Sequence, residues 1–164
     1  MKLSTHYVFS LGLLFLIDSI IIGNSLYLLI LTGIISVVGN NIIDSLGHEI
    51  KGKYITRTPR THTFPRSVGW GLLVTIPLAI ILYYLYPNYY LVAIIVLDGV
   101  IVGLSHMLLD IFTERGIYHK VNGKWKRIAL AHFSYNNPFA NGLAILVGIL
   151  MLFEAIELHI SLLH

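Results

Sequence analysis

Apolar positions in this chain run together in five long blocks, over residues 7–22, 26–46, 67–86, 89–112 and 141–163, with two polar stretches between them at 48–66 and 113–140. Blocks of this length predict helices that cross a hydrocarbon layer of roughly 30 Å. The first is the shortest and carries Asp18, so it is expected to tilt or to stop partway. Gly23-Asn24-Ser25 and Pro87-Asn88 read as tight turns, and Pro77 marks a kink within the third block, where the backbone loses a donor. In the second polar stretch, Asn122-Gly123 sits between alternating residues, the pattern of a two-residue hairpin turn over 117–128. The predicted fold is therefore an all-α integral membrane protein. It is a single domain over residues 1–164, a bundle of about five transmembrane helices with a small cytoplasmic β-hairpin.

Composition sharpens this picture. The 164 residues are 56% hydrophobic and 12% charged, with a mean hydropathy of +0.79, far from the balance of a soluble domain. Lys2 precedes an apolar run as in a secretion signal, but His6 and Asp18 interrupt the run and no small-residue cleavage site follows. A retained first span is expected.

Charge then orients the bundle. All eleven Lys and Arg residues fall at Lys2, in the first polar stretch (Lys51, Lys53, Arg57, Arg60, Arg66) and in the second (Arg115, Lys120, Lys124, Lys126, Arg127). Lys and Arg accumulate on the cytoplasmic side, so five crossings place the N-terminus inside the cell membrane and the C-terminus outside. Tyr83, Tyr84, Tyr86, Tyr89 and Tyr90 form an interfacial belt at the opposite face. The hairpin's Lys120, Lys124, Trp125, Lys126 and Arg127 would lie against lipid headgroups.

The same topology gathers candidate chemistry at one end. His6, His48, His62, His106, His119 and His132 fall at or near the cytoplasmic interface with Asp44, Glu49, Asp110 and Glu114, whereas His159 and His164 lie near the other face. His106 and Asp110 are four apart on a helix, so an imidazole and a carboxylate share one face. Asp44 and His48 repeat that spacing in reverse order at the end of another helix. The loop Thr58-Pro59-Arg60-Thr61-His62-Thr63 offers a third imidazole, with Arg60 as an anion clamp. Glu114 extends the His106–Asp110 row by four residues. Asp98 is about 18 Å from Asp110 along the helix axis and reads as a separate buried acid. Asp18 and Asp98 fit interhelical hydrogen bonding as well as function. With no cysteine, a metal must be held by His, Asp, Glu or Asn. Zinc is the first expectation, with manganese, nickel or iron as alternatives. Such an ion brings a bound water's pKa toward neutrality.

These motifs resemble a known family. Thr5-His6, the acidic motif closing the second block, the Arg57-x-x-Arg60-Thr61-His62-Thr63 loop and Gly103-x-Ser105-His106-x-x-x-Asp110-x-x-Thr113-x-x-Gly116 are similar to the YdjM-like family of predicted membrane-bound metal-dependent hydrolases, in particular its archaeal relatives of unknown function. The resemblance implies a multi-span helical protein with a divalent metal held by His6, Asp44, His62, His106 and Asp110. It departs from the bacterial pattern where Ile43 precedes Asp44 and Leu46 replaces a second acid.

The expected function is a metal-dependent hydrolase at the cytoplasmic leaflet, acting on a lipid or other amphiphilic phosphoester. Glu114 or His48 would be the general base, and Arg60 with Arg66 would fix an anionic group. The alternative is a non-enzymatic membrane scaffold or assembly component with a structural His/Asp metal site; a weaker third reading is an ion or proton path through Asp18 and Asp98. The expected partners are membrane lipids and a second copy of the chain, with no nucleic acid.

Overall fold

A computed structural model describes residues 1–23, 25–52 and 54–162. In chain order the elements are α1 (Leu3–Ile22), α2 (Leu26–Gly47), β1 (His48–Lys51), β2 (Tyr54–Arg57), α3 (Phe64–Leu85), α4 (Tyr89–Asp110), β3 (Ile117–Val121), β4 (Lys124–Ile128) and α5 (Pro138–Leu162). Among the described residues, five helices are long and apolar enough to cross a membrane. His164 lies outside the described residues.

Local chemistry sets the helix boundaries. Ser25, Thr63 and Asn88 each accept a backbone N–H of the following turn, from Leu28, Arg66 and Tyr90 respectively. Pro65 in the first turn of α3 and Pro138 at the start of α5 occupy positions where the missing N–H is no loss. Both helices consequently start three residues before the apolar blocks at 67 and 141. α1 begins at Leu3, not at 7, and is a full 20 residues. Its first turn absorbs Thr5 and His6 because both are buried, with Thr5 Oγ1 donating to Asn141 Oδ1 of α5 at 2.7 Å. α4 stops at Asp110, short of 112.

The expected hairpin is present as β3–β4, and Asn122 and Gly123 both have positive φ (50° and 78°), as a type I′ turn requires. The polar stretch 48–66, read from the sequence only as a polar segment, holds a second hairpin with His48 opposite Arg57. Its strands are only four residues each.

The bundle is apolar outside and holds polar side chains among apolar core clusters inside. Leu73, Ile80 and Ile81 of α3 and Leu143, Leu150 and Phe153 of α5 are exposed, while Ser10, Asp18, Thr32, Ser36, Asn40 and Asp98 are buried. α1 and α4 run antiparallel with His6 facing Asp110, Ser10 Oγ 2.8 Å from Ser105 Oγ, and Asp18 interacting with Asp98. Buried Leu14 and Val102 separate the polar end from the Asp18–Asp98 pair. Where α3 crosses α4, a β-carbon on Gly71 would collide with the carbonyl oxygen of Gly99, and α1 meets α5 in the same way at Gly12 and Gly148.

Gly71→Ala is therefore expected to destabilise the protein by about 1–3 kcal/mol through overpacking. Gly33→Ala, on open space in α2, should be neutral or slightly stabilising. Thermal unfolding in detergent separates the two outcomes.

Candidate metal centre

One end of the bundle collects side chains from five segments. α1 supplies His6, α2 supplies Asn40 and Asp44, its C-cap supplies His48, the loop before α3 supplies Thr61 and His62, and the last turns of α4 supply His106 and Asp110. His6, His62, His106 and Asp110 are 0% exposed, whereas the side chains of Asp44 and His48 are 24% and 23% exposed. The cluster therefore has a dry interior and one wet edge.

Hydrogen bonds assign the tautomers of two of these imidazoles. Asn40 Nδ2 faces the carbonyl oxygens of Ser36 at 2.8 Å and His6 at 3.4 Å, and Ser10 Oγ at 3.0 Å, so it must be the donor end of the amide. Asn40 Oδ1, 2.8 Å from His106 Nδ1, is then an acceptor, and His106 carries its proton on Nδ1. The single hydroxyl proton of Thr61 goes to the Ile43 carbonyl at 2.7 Å, so Thr61 Oγ1 accepts from His62 Nδ1 at 2.9 Å. Both Nε2 atoms are consequently bare lone pairs, and both lie 3.4 Å from Asp110 Oδ2. Two imidazole nitrogens and a carboxylate oxygen thus meet with no proton to share, and each is buried without a hydrogen-bond partner. His6 Nε2 is equally unpartnered, 3.3 Å from Asp110 Oδ1.

Acceptors gathered in this way fit a cation. Zinc bonds of about 2.0–2.2 Å put tetrahedral ligand atoms roughly 3.3–3.6 Å apart, which matches the spacing at Asp110. Asp44 Oδ1 lies farther off, 3.9 Å from His62 Nε2 and 4.0 Å from His106 Nε2. Burial pushes the His62 imidazole down to about 4 despite the pull of Asp110, so it is neutral and ligand-competent near neutral pH.

The other oxygen of Asp110 is held by cations. Arg57 Nη2 and the Met1 amino nitrogen each sit 2.6 Å from Oδ1. Arg57 Nη1 in turn donates to Thr113 Oγ1 at 2.8 Å and to the Gly116 carbonyl at 3.2 Å. Arg57 thereby fixes the carboxylate and turns Oδ2 toward the imidazoles.

Asp44 and His48, His106 and Asp110, paired by their four-residue spacing, come together with His62 of the loop and with His6, which the family resemblance named. Glu114 does not join them. α4 ends at Asp110, so the four-residue row is broken, and Glu114 is exposed with its backbone N–H on the Phe133 carbonyl. Arg60 is also exposed and contributes its backbone, accepting from Trp70 Nε1. Arg66 points elsewhere, onto the Pro59 carbonyl and over the Trp125 ring. The side-chain cation on Asp110 is Arg57, whose role the sequence alone did not reveal although it opens the Arg-x-x-Arg-Thr-His-Thr motif. Asn40 was also passed over, and its one signal is a position four residues before Asp44 on the same helical face. Asp98 stands apart with Asp18, about 18 Å along both helices.

Among the described residues, fold and cluster define five long apolar helices with a buried His/Asp group at metal-ligand spacing. Residues 1–109 match the model of a family described as protein of unknown function (DUF1286), and the chain belongs to that family. The match includes every histidine of the cluster and ends one residue before Asp110. No curated protein and no solved structure matches the chain.

Arg57→Ala leaves a buried carboxylate less compensated, so a loss of about 3–5 kcal/mol is expected. Arg57→Lys should recover only part of it, because an ammonium lacks the fork that reaches Asp110 and Thr113 together. Thermal unfolding of the two variants checks this ordering.

Proposed function

We propose that this protein is a metal-dependent hydrolase embedded in the cell membrane, with its N-terminus and both hairpins cytoplasmic, acting at the cytoplasmic leaflet on a lipid or other amphiphilic phosphoester. The observation that carries the reading is the convergence of bare His62 and His106 Nε2 atoms on Asp110 Oδ2 with no proton between them. The resemblance to the YdjM-like hydrolases supports it. The basic residues of both hairpins belong to the same end as the cluster, which supports the cytoplasmic placement.

A divalent ion, zinc first among the candidates, supplies a water made acidic enough to be a nucleophile near neutral pH. His6, His62, His106 and Asp110 would hold it. Asn40 and Thr61 fix the tautomers of His106 and His62, and outer-shell hydrogen bonds of this kind also orient the rings. Asp44 and His48 line the edge where water and substrate arrive. His48, with Nδ1 3.5 Å from Asp44 Oδ1, is placed to take a proton there. Full burial of His6, His106 and Asp110 favours the second reading, a structural ion in a non-enzymatic scaffold. The half-exposed edge favours hydrolysis.

Protein purified without chelator should carry stoichiometric metal, with His106→Ala and Asp110→Asn losing most of it. Phosphate release from a lipid panel should fall at least 100-fold in both. Metal-free wild type would remove the reading, and metal without turnover would leave the structural one. Orientation is tested separately. Because the chain has no cysteine, Lys124→Cys should react with an impermeant thiol reagent only from the cytoplasmic side, and Tyr86→Cys only from outside.

A further inference from the structure

His62 reaches the cluster from a loop, and that loop is suspended between two supports. On the α2 side, Thr61 Oγ1 donates to the Ile43 carbonyl at 2.7 Å, and the N–H and hydroxyl of Thr58 donate to the Gly47 carbonyl at 2.8 and 3.1 Å. On the α4 side the support comes from the β3–β4 hairpin. Tyr118 donates its backbone N–H to the His62 carbonyl at 2.8 Å and its phenol hydroxyl to the Arg57 carbonyl at 2.9 Å. It grips the loop at the imidazole ligand and at the arginine that holds Asp110.

The phenol proton has only one direction open to it. Arg127 Nε, 3.1 Å from the same oxygen, can only donate, so the hydroxyl accepts there and directs its own proton to Arg57. The Arg127 guanidinium also lies 5.6 Å over the Tyr118 ring, which steadies the phenol from the β4 side. Next to Tyr118, Ile117 is buried against Ile43 of α2 and Met107 of α4, so β3 is anchored beside the helix ends that carry the ligands.

We infer that Tyr118 is a positioning residue of the metal centre, which sets the His62 imidazole and the Arg57 guanidinium against the Asp110 carboxylate. The inference rests on the metal reading above and extends it to a side chain outside the ligand set. Thr61 decides which nitrogen of His62 is bare, but it refers the ring to α2, not to Asp110. Tyr118 lies in the segment that follows Asp110 directly, so its bonds to the His62 and Arg57 backbone refer both residues to that carboxylate. Outer contacts of this kind carry roughly 10- to 100-fold in metal affinity.

Cobalt titration of the full-length protein in detergent tests this, with affinity and ligand-field absorption as the readouts. Tyr118→Phe removes the phenol bond and keeps the backbone one, so cobalt should bind roughly 10-fold more weakly, with a shifted absorption spectrum. Gly71→Ala, which overpacks the α3–α4 crossing, should lower the unfolding temperature and leave cobalt affinity and spectrum as in wild type. Arg127→Ala removes the bond to the phenol from an exposed position and should weaken binding in the same direction, by less. Wild-type affinity and spectrum in Tyr118→Phe overturn the inference and leave the metal reading intact. An equal loss of affinity in Gly71→Ala reduces Tyr118 to a structural role and overturns it too. Should Tyr118→Phe not fold, unchanged binding in Arg127→Ala decides against the inference in its place. Wild-type protein that binds no cobalt overturns both readings.

Discussion

Asp110 sits where opposite demands meet, and the surrounding elements are arranged to satisfy both. One of its oxygens takes the Arg57 guanidinium at 2.6 Å, and the other faces two bare imidazole nitrogens at 3.4 Å. A buried carboxylate without a partner costs several kcal/mol, so the Arg57 contact is a condition of folding. Acceptors that face one another with no proton cost about 1–3 kcal/mol each, so their persistence needs a compensating cation or a scaffold that leaves them no alternative. Asn40 and Thr61 provide part of that scaffold by holding the Nδ1 protons of His106 and His62, which leaves both Nε2 atoms bare.

The helices transmit this requirement into their packing. Asn40 ties α2 to α1 through Ser10 and the His6 carbonyl, and Ser10 ties α1 to α4 through Ser105. These bonds lock the rotation of α1 and α4, and with it the meeting of His6 and Asp110. The same register delivers Asp18 to Asp98 twelve residues farther along both helices. Leu14 and Val102 lie between, so the two polar layers are separated by a dry one. Close approach at Gly12 and Gly148 and at Gly71 and Gly99 draws the helices near enough for short side chains such as serine to bridge them.

Much of the site was legible because its spacing is local. Asp44–His48 and His106–Asp110 each span one helical turn, and any helix through those residues puts the pair on one face. Glu114 follows the same arithmetic and fails, because the helix ends at its last useful residue and Thr113 turns back to cap the Asp110 carbonyl. Arg57 and Arg60 show the limit of charge as a guide. They are three residues apart in one polar stretch, yet the strand pairing of His48 with Arg57 turns one inward and leaves the other in solvent. Four-residue strands with no apolar alternation carry too little pattern to reveal that pairing.

Hydropathy and charge, read along the chain by itself, determined the five apolar helices, the β3–β4 hairpin and the end of the bundle where the histidines collect. Those properties depend on residues within a turn or two of one another. Tertiary structure alone decided that Arg57 reaches Asp110 and which nitrogens of His62 and His106 are bare. Such outcomes depend on the register between helices and on protons assigned by partners up to 66 residues away, as for Asn40 and His106. No local periodicity encodes an interaction between segments that are joined only when the bundle closes.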